Sequence, residues 1–188
     1  NTIQKLCHQK LIIRYNIAVI NKLELLSLLK EQGIEYSKHE HEPLYTVEDS
    51  KNNRFDVAGS HTKNLFLKNK KNYFCLFSCE EKSVVNLKKF SKSINAVNLS
   101  FAKEEYLKKY LGVEPGSVSP YALLNDKNNE VEFYLEDTLY NSKKINFHPL
   151  INTATISLET LDFIKFMVEN KKKINIFSLT NYKIIKTL

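Results

Sequence analysis

Lys63 is the side chain in this sequence best suited to chemistry. It lies in the segment His61-Thr62-Lys63-Asn64-Leu65-Phe66-Leu67-Lys68. The apolar run after it predicts a β-strand, so we expect Lys63 at the beginning of that strand. An ammonium group at the end of a strand can stabilise a phosphate or a developing oxyanion. Because the chain has 28 basic residues, a solvated lysine without a chemical role is the alternative.

The second candidate is the loop Gly116-Ser117-Val118-Ser119-Pro120. Glycine allows the backbone to approach a ligand closely, and proline fixes the direction in which the chain leaves the loop. The backbone amides between them can orient a polarised carbonyl group and a water molecule. An ordinary turn is the competing interpretation of so short a pattern.

The third candidate is His148, in the segment Asn146-Phe147-His148-Pro149-Leu150. An imidazole can place a water molecule or act in proton transfer near neutral pH. A structural histidine that holds the bend before the proline is an equally good interpretation. Asn152, a few residues later, is a weaker binding candidate and is better explained as a turn residue.

Metal and thiol chemistry are less well supported. The segment His39-Glu40-His41-Glu42 would place both histidines on one face of a strand, but two ligands do not make a metal site. Cys75 and Cys79 have no motif beside them that supplies a base, and their apolar surroundings indicate a buried strand. The three cysteines show no disulfide or zinc spacing, which favours a reducing compartment. We expect no metal and no organic cofactor.

Alternating helical and extended patterns must position these residues. An Asn21 cap, an apolar helical face and Gly33 predict a helix, and Thr46 resembles a second helix start. The predicted strands are 34–42, 65–68, 73–78, 97–100, 121–124, 130–135, 145–147, 153–157 and 174–179, with hairpins joining 65–68 to 73–78 and 121–124 to 130–135. Further helices are predicted at 84–94, 102–111 and 157–170, and a loop at 51–62. This order predicts a mixed α/β sheet with surrounding helices.

Length and charge restrict the possibilities further. The 188 residues suffice for one domain, and we place it at 21–180, with an extension at 1–20 and a tail at 181–188. The net charge of +7 and the pI near 9.1 favour an anionic partner such as nucleic acid. Biased codon usage is an equally good explanation of the lysine excess. The sequence has no membrane span and no signal-peptide pattern, so we expect a cytoplasmic protein.

Taken together, the segments around Lys63, residues 116–120 and His148 resemble the YbaK-like aminoacyl-tRNA editing domains over roughly residues 20–180. Asn64 is similar to the prolyl-type branch, which removes alanine from proline tRNA. The resemblance implies a central mixed, partly barrel-like sheet and an active-site role for Lys63. It also implies that the 116–120 loop approaches the aminoacyl group and that His148 binds the tRNA end or places water. Tyr45 and Val47 would wall a small amino-acid pocket or pack in the core.

The implied activity is hydrolysis, by water, of the ester between alanine and the terminal adenosine of proline tRNA, with the ribose hydroxyl as a potential aid. The basic groups 68–71 and 171–173 would then track the acceptor stem, although a solvated edge explains them as well. Since the first residue is Asn1, we expect a piece of a longer chain, joined to or associated with a prolyl-tRNA synthetase. A cysteinyl-type deacylase and a non-catalytic tRNA- or synthetase-binding module are the alternatives.

Overall fold

A mixed β-sheet organises the protein. The computed structural model describes residues 19–43 and 57–188. The strands in this part are β1 (Ser37–Glu40), β2 (Ser60–Lys68), β3 (Phe74–Glu80), β4 (Ser100–Phe101), β5 (Val131–Glu136), β6 (Lys144–Phe147), β7 (Ala154–Glu159), β8 (Ile174–Ser178) and β9 (Lys183–Thr187). They pair in the order β1-β7-β6-β2-β3-β5-β8-β9, and β4 pairs with β2. The pairs β2/β6, β3/β5 and β5/β8 are parallel and the others antiparallel, so the predicted mixed α/β class is confirmed.

Short helices connect and cover the strands. They are α1 (Lys22–Glu31), α2 (Leu87–Ser93), α3 (Glu104–Tyr106), α4 (Asp137–Tyr140) and α5 (Thr160–Glu169), with a π-helix at Leu107–Leu111 and a 3-10 helix at Pro120–Asn125. The predicted helix after Asn21 is confirmed, because the Asn21 side chain accepts hydrogen bonds from the Leu23 and Glu24 amides and the Glu24 carboxylate accepts one from the Asn21 amide. No helix in the described ranges has the length and apolar character needed to cross a membrane.

The predicted hairpin of β2 and β3 is confirmed, but its first strand begins earlier than expected. Asn69 closes the turn by accepting from the amides of Lys71, at 2.8 Å, and Tyr73, at 3.1 Å. β2 starts at Ser60, so the prediction that Lys63 begins the strand is wrong. The extra residues are held by parallel pairing with β6, where His61 lies opposite Asn146. This contact joins residues that are 85 positions apart in the chain, so no local sequence pattern indicates it.

The second predicted hairpin, 121–124 with 130–135, is wrong. Pro120 begins a 3-10 helix, and its following residues pack as a buried turn instead of a strand. The Tyr121 ring contacts the rings of Phe147 and Phe163 at centroid distances of 5.9 and 5.8 Å. β5 pairs in parallel with β3 and β8. A short apolar run is compatible with either conformation, and here the proline and the aromatic contacts favour the helical turn.

The two faces of the β2–β3 hairpin contact different apolar clusters. Alternate residues such as Phe66 and Leu76 face the larger cluster, which α1, the 3-10 helix and α5 complete. The intervening residues face a smaller cluster of Leu67, Cys75, Phe77, Cys79, Phe90, Tyr134 and Phe177. Cys75 and Cys79 are completely buried, as predicted.

The π-helix ends at Gly112, where φ is +63° and a Cβ atom would lie 2.6 Å from Val19 Cγ1.

Several predictions concern residues beyond the described ranges. The extension at 1–20 is described only from residue 19, and Tyr45, Thr46 and Val47 lie outside the described residues. Residues 51–56 of the predicted loop also lie outside, whereas residues 60–62 belong to β2. The segment predicted as a tail, 181–188, contains β9, which pairs antiparallel with β8.

Candidate active site

Lys63 is fixed by two backbone carbonyl groups. It is the fourth residue of β2 and lies opposite Cys79 of β3. Its partly buried ammonium group donates to the carbonyl oxygen of Glu81 at 3.0 Å and to that of Ser83. A lysine ammonium has three N–H donors, so within the described part of the structure these bonds leave one for a ligand. Lys63 is therefore an oriented cation with donor capacity to spare.

A buried carboxylate holds the turn to which Lys63 is anchored. Glu136, at the end of β5, is 4% exposed. It accepts from the Glu80 amide at 2.7 Å and from the Ser83 hydroxyl at 2.7 and 2.9 Å. These donors compensate for the loss of solvent around the carboxylate. Neither Glu136 nor Ser83 was predicted as a site residue, because neither belongs to a motif and they are 53 residues apart.

Asn64 faces the opposite side of β2 and holds the 116–120 loop. Its side-chain Nδ2 donates to the Val118 carbonyl at 3.0 Å, and its Oδ1 accepts from the Ser78 hydroxyl at 2.6 Å. Neighbouring residues of a strand point to opposite faces, so the Lys63 and Asn64 side chains leave β2 on opposite sides. Asn64 was predicted to bind substrate. In the structure its amide group connects β2 to the loop.

The predicted loop is a tight turn that leads into the 3-10 helix. The Ser117 amide donates to the Glu114 carbonyl at 3.0 Å, and Gly116 has a φ of +84°, which favours glycine. Pro120 begins the helix, as its fixed φ allows. Ser117 and Ser119 are buried and Val118 is half-buried. The loop is thus rigidly placed beside β2 by Asn64.

His148 lies just after β6 and is held by β7. Its Nδ1 is 2.8 Å from the Ala154 carbonyl oxygen, so Nδ1 bears the proton in the neutral ring and Nε2 is the acceptor. Burial lowers the pKa of His148, the bond to Ala154 opposes that shift, and nearby His41 reinforces it. The two rings have centroids 5.8 Å apart. The bond to Ala154 fits the predicted structural role of His148. It also leaves a neutral Nε2 that is suited to accepting a proton.

The two strands that bear the candidates are neighbours. The Thr62 hydroxyl donates to the Asn146 carbonyl at 2.7 Å, and His61 pairs with Asn146. This parallel pairing places the segments that carry Lys63 and His148 side by side, each residue two positions beyond the His61–Asn146 pair. Asn152 lies in the turn between β6 and β7, half-buried. The structure thus groups Lys63 with the end of β6, and Asn64 with the 116–120 loop.

Metal ligands do not cluster in residues 19–43 and 57–188. No group of three histidine, cysteine or acidic side chains there is arranged to hold an ion. The His39-Glu40-His41-Glu42 segment begins in edge strand β1, and His41 Nε2 is 3.0 Å from the Thr155 hydroxyl. His41 therefore belongs to the surroundings of His148.

Comparisons with known proteins identify relatives of this chain. The model of the aminoacyl-tRNA editing domain family matches residues 41–166. The prolyl-tRNA editing protein ProX of Acetoanaerobium sticklandii is 34% identical over 152 residues, which cover 79% of this chain and 92% of that protein. The prolyl-tRNA synthetase associated domain-containing protein 1 of Danio rerio is 33% identical over 150 residues, covering 79% of this chain and 82% of that protein.

A solved structure shares the fold. It is described as a candidate trans-editing enzyme for prolyl-tRNA synthetase, with a TM-score of 0.59 and 15% identity. The match covers 85% of this chain and 98% of that one. The family match spans the Lys63 strand, the 116–120 loop and His148, so the resemblance predicted from the sequence is confirmed. This chain belongs to the aminoacyl-tRNA editing domain family.

Proposed function

We propose that this protein hydrolyses the ester bond between alanine and the terminal adenosine of proline tRNA. The observation that supports this most directly is the ammonium of Lys63, which two carbonyl groups orient while its third N–H has no partner among the described residues. Relatives at 33 and 34% identity have names that refer to prolyl-tRNA editing or synthetase association. These names support proline tRNA as the substrate.

Water is the nucleophile in the proposed reaction. It attacks the ester carbonyl carbon, the bond from that carbon to the ribose oxygen breaks, and the water proton is transferred to the ribose oxygen. The remaining N–H of Lys63 would stabilise the negative charge that develops on the carbonyl oxygen after water attacks and before the ester bond breaks. The neutral Nε2 of His148 would accept a hydrogen bond from the attacking water. Both groups are fixed by backbone carbonyls, so little reorganisation accompanies the reaction.

The amino acid is selected by size. A synthetase cannot readily exclude a substrate smaller than its own, so a second site that admits only the smaller product restores fidelity. Alanine fits such a site and proline does not. The segment predicted to wall the pocket, with Tyr45 and Val47, lies outside the described residues.

The basic surface is suited to the tRNA backbone. Lys70 and Lys71 are exposed in the turn between β2 and β3. Lys68 differs, since its Nζ lies 4.5 Å from the centre of the Tyr106 ring. Lys172 differs too, because it donates to the Asp126 carbonyl at 2.6 Å. We propose that Lys70 and Lys71 contact phosphates and that Lys68 and Lys172 stabilise the fold.

The relatives also suggest where the reaction takes place. A protein named for its association with prolyl-tRNA synthetase supports a synthetase as partner of this chain. We propose association with that enzyme in the cytoplasm, where mischarged tRNA is released. Copurification of the synthetase with this protein, with and without digestion of the tRNA, would test the partnership. A synthetase that copurifies only while the tRNA is intact would be held through the tRNA.

The decisive assay measures deacylation of Ala-tRNA(Pro), Pro-tRNA(Pro) and Cys-tRNA(Pro). Wild type should hydrolyse only the alanyl ester. Lys63→Ala should lower kcat by about 100-fold, the usual cost of losing an oxyanion donor. Lys63→Met retains the aliphatic stem and should be equally inactive. Lys68→Ala changes a lysine of the same strand and is the matched control, with activity near that of wild type.

Each remaining outcome identifies an alternative. Preferential hydrolysis of the cysteinyl ester would assign a cysteinyl-type deacylase. Binding of tRNA by wild type without hydrolysis of any ester would indicate a non-catalytic module. Full activity in both Lys63 variants, with circular dichroism confirming their fold, would remove Lys63 from the mechanism.

A further inference from the structure

Asn146 is a buried polar side chain that no group in the described part of the chain satisfies. It lies in β6 and is 3% exposed. Within residues 19–43 and 57–188, neither its Nδ2 nor its Oδ1 has a hydrogen-bond partner. More than nine in ten buried polar groups are paired in folded proteins, because an unpaired amide loses its hydration without compensation. An unpaired amide at this depth therefore indicates a function beyond packing.

A second buried asparagine provides the contrast. Asn175 of β8 is also 3% exposed, but its Nδ2 donates to the Phe133 carbonyl at 3.2 Å. Its Oδ1 accepts from the Thr187 hydroxyl at 2.9 Å. Asn175 thus joins three strands of the sheet. Asn146 makes no comparable side-chain bond to any residue that the structure describes, so the sheet architecture does not explain its amide.

The position of Asn146 relates it to Lys63. Its neighbours Ile145 and Phe147 face the larger apolar cluster, so Asn146 points to the other face of the sheet. On that face it lies opposite His61 of β2 and Ser157 of β7. Lys63 is two residues beyond His61 and shares its face. Asn146 and Lys63 are therefore diagonal neighbours on adjacent strands, about 7 Å apart.

We propose that Asn146 is a substrate-binding residue whose Nδ2 donates a hydrogen bond to the ester carbonyl oxygen of the aminoacyl group. This inference rests on the proposed deacylase function and adds a second donor to it. Lys63 supplies a charged N–H and Asn146 a neutral one, from two strands whose positions the sheet fixes. Two donors that converge on one oxygen stabilise the oxyanion of an acyl transfer better than either alone.

The test separates substrate binding from a structural role. Asn146→Leu replaces the unpaired amide by an apolar group of similar size, and Asn146→Ala removes it without added bulk. Both variants should melt at or above the temperature of wild type, since an uncompensated buried polar group is removed. Both should lower kcat for Ala-tRNA(Pro) by about 100-fold with KM nearly unchanged, because the bond strengthens as the oxyanion forms.

Asn146→Asp tests which amide atom acts. The carboxylate keeps the shape and the acceptor oxygens and lacks the donor, so its kcat should fall as far as that of Asn146→Leu. Asn175→Leu is the matched control. It breaks satisfied bonds and should melt at a lower temperature, while its kcat at a temperature where it remains folded stays within about threefold of wild type.

Three results would overturn the proposal. One is kcat near the wild-type value in the folded Leu and Ala variants, and another is a loss of thermal stability in both that matches Asn175→Leu. The third is retained activity in Asn146→Asp, which would assign the contact to Oδ1. A wild type that hydrolyses no ester would instead refute the proposed function, so the two failures are distinguishable.

Discussion

Replacing Asn64 by alanine should destabilise the protein and displace the 116–120 loop. The change removes two hydrogen bonds, one to the Val118 carbonyl and one from the Ser78 hydroxyl. Ser78 is completely buried, so water cannot replace its lost acceptor. A buried hydroxyl left unpaired costs about 1–3 kcal/mol, and loss of the bond to half-buried Val118 about 1 kcal/mol. Together these give a loss of about 2–4 kcal/mol in the free energy of unfolding.

Urea unfolding followed by circular dichroism measures this loss directly. For a chain of this length it corresponds to a fall in Tm of about 5–15 °C. The Asn64→Ala/Ser78→Ala double variant no longer buries an unpaired hydroxyl. Its loss should therefore be smaller than the sum of the two single losses by about 1–2 kcal/mol.

The same variant tests the role of the loop in activity. If the 116–120 loop orients the ester, Asn64→Ala should lower kcat/KM for Ala-tRNA(Pro) at a temperature where it remains folded. Asn64→Asp should behave similarly, since a carboxylate cannot donate to the Val118 carbonyl. A loss below about 0.5 kcal/mol, or additive effects of the Asn64 and Ser78 substitutions, would show that these bonds do not hold the loop.

Three further predictions follow from buried ionisable groups. The pKa of folded His148 lies below its ordinary value of 6.5, so below that pH the unfolded chain binds a proton that the folded chain does not. The free energy of unfolding, measured in urea, should therefore fall as the pH is lowered from 7.5. It should fall less steeply in His148→Gln. Burial raises the pKa of Cys79 to about 12 and that of Cys75 still further, so neither thiol should react at pH 7.5 in the folded protein. In a Cys7→Ser variant, iodoacetamide should leave activity intact and should label both thiols only in urea. Glu136→Gln should lower the free energy of unfolding by about 2 kcal/mol, measured in urea, and should lower kcat, because the amide cannot accept from all the donors that hold the turn to which Lys63 is anchored.

Local patterns were sufficient for elements whose signals lie within a few residues. The capped helix after Asn21 and the hairpin closed by Asn69 depend on side-chain bonds across two to four positions. Local patterns failed at residues 121–124, where the apolar run is compatible with either a strand or a buried 3-10 turn. There the outcome depends on the Tyr121 contact with Phe147, which is remote in sequence.

The candidate site was predictable as a set of residues but not as a geometry. Lys63 and His148 were identified by motif, and parallel pairing of β2 with β6 brings their segments together. The bond between Glu136 and Ser83 joins positions far apart, and neither residue type is distinctive. Asn146 belongs to the segment that carries His148, yet its proposed role follows from the lack of a hydrogen-bond partner among the described residues, which only the folded structure reveals.

The adjacency of Lys63 and Asn64 follows from the two-residue period of a strand. Because successive side chains face opposite sides, one dipeptide can present an ammonium to one face and fix the 116–120 loop on the other. A shift of β2 by one residue would exchange these faces, placing the ammonium against buried Ser78 and separating the amide from Val118. The parallel pairing of Ser60 and His61 with β6 opposes that shift. The early start of β2, which the sequence did not predict, therefore serves to keep both residues in their positions.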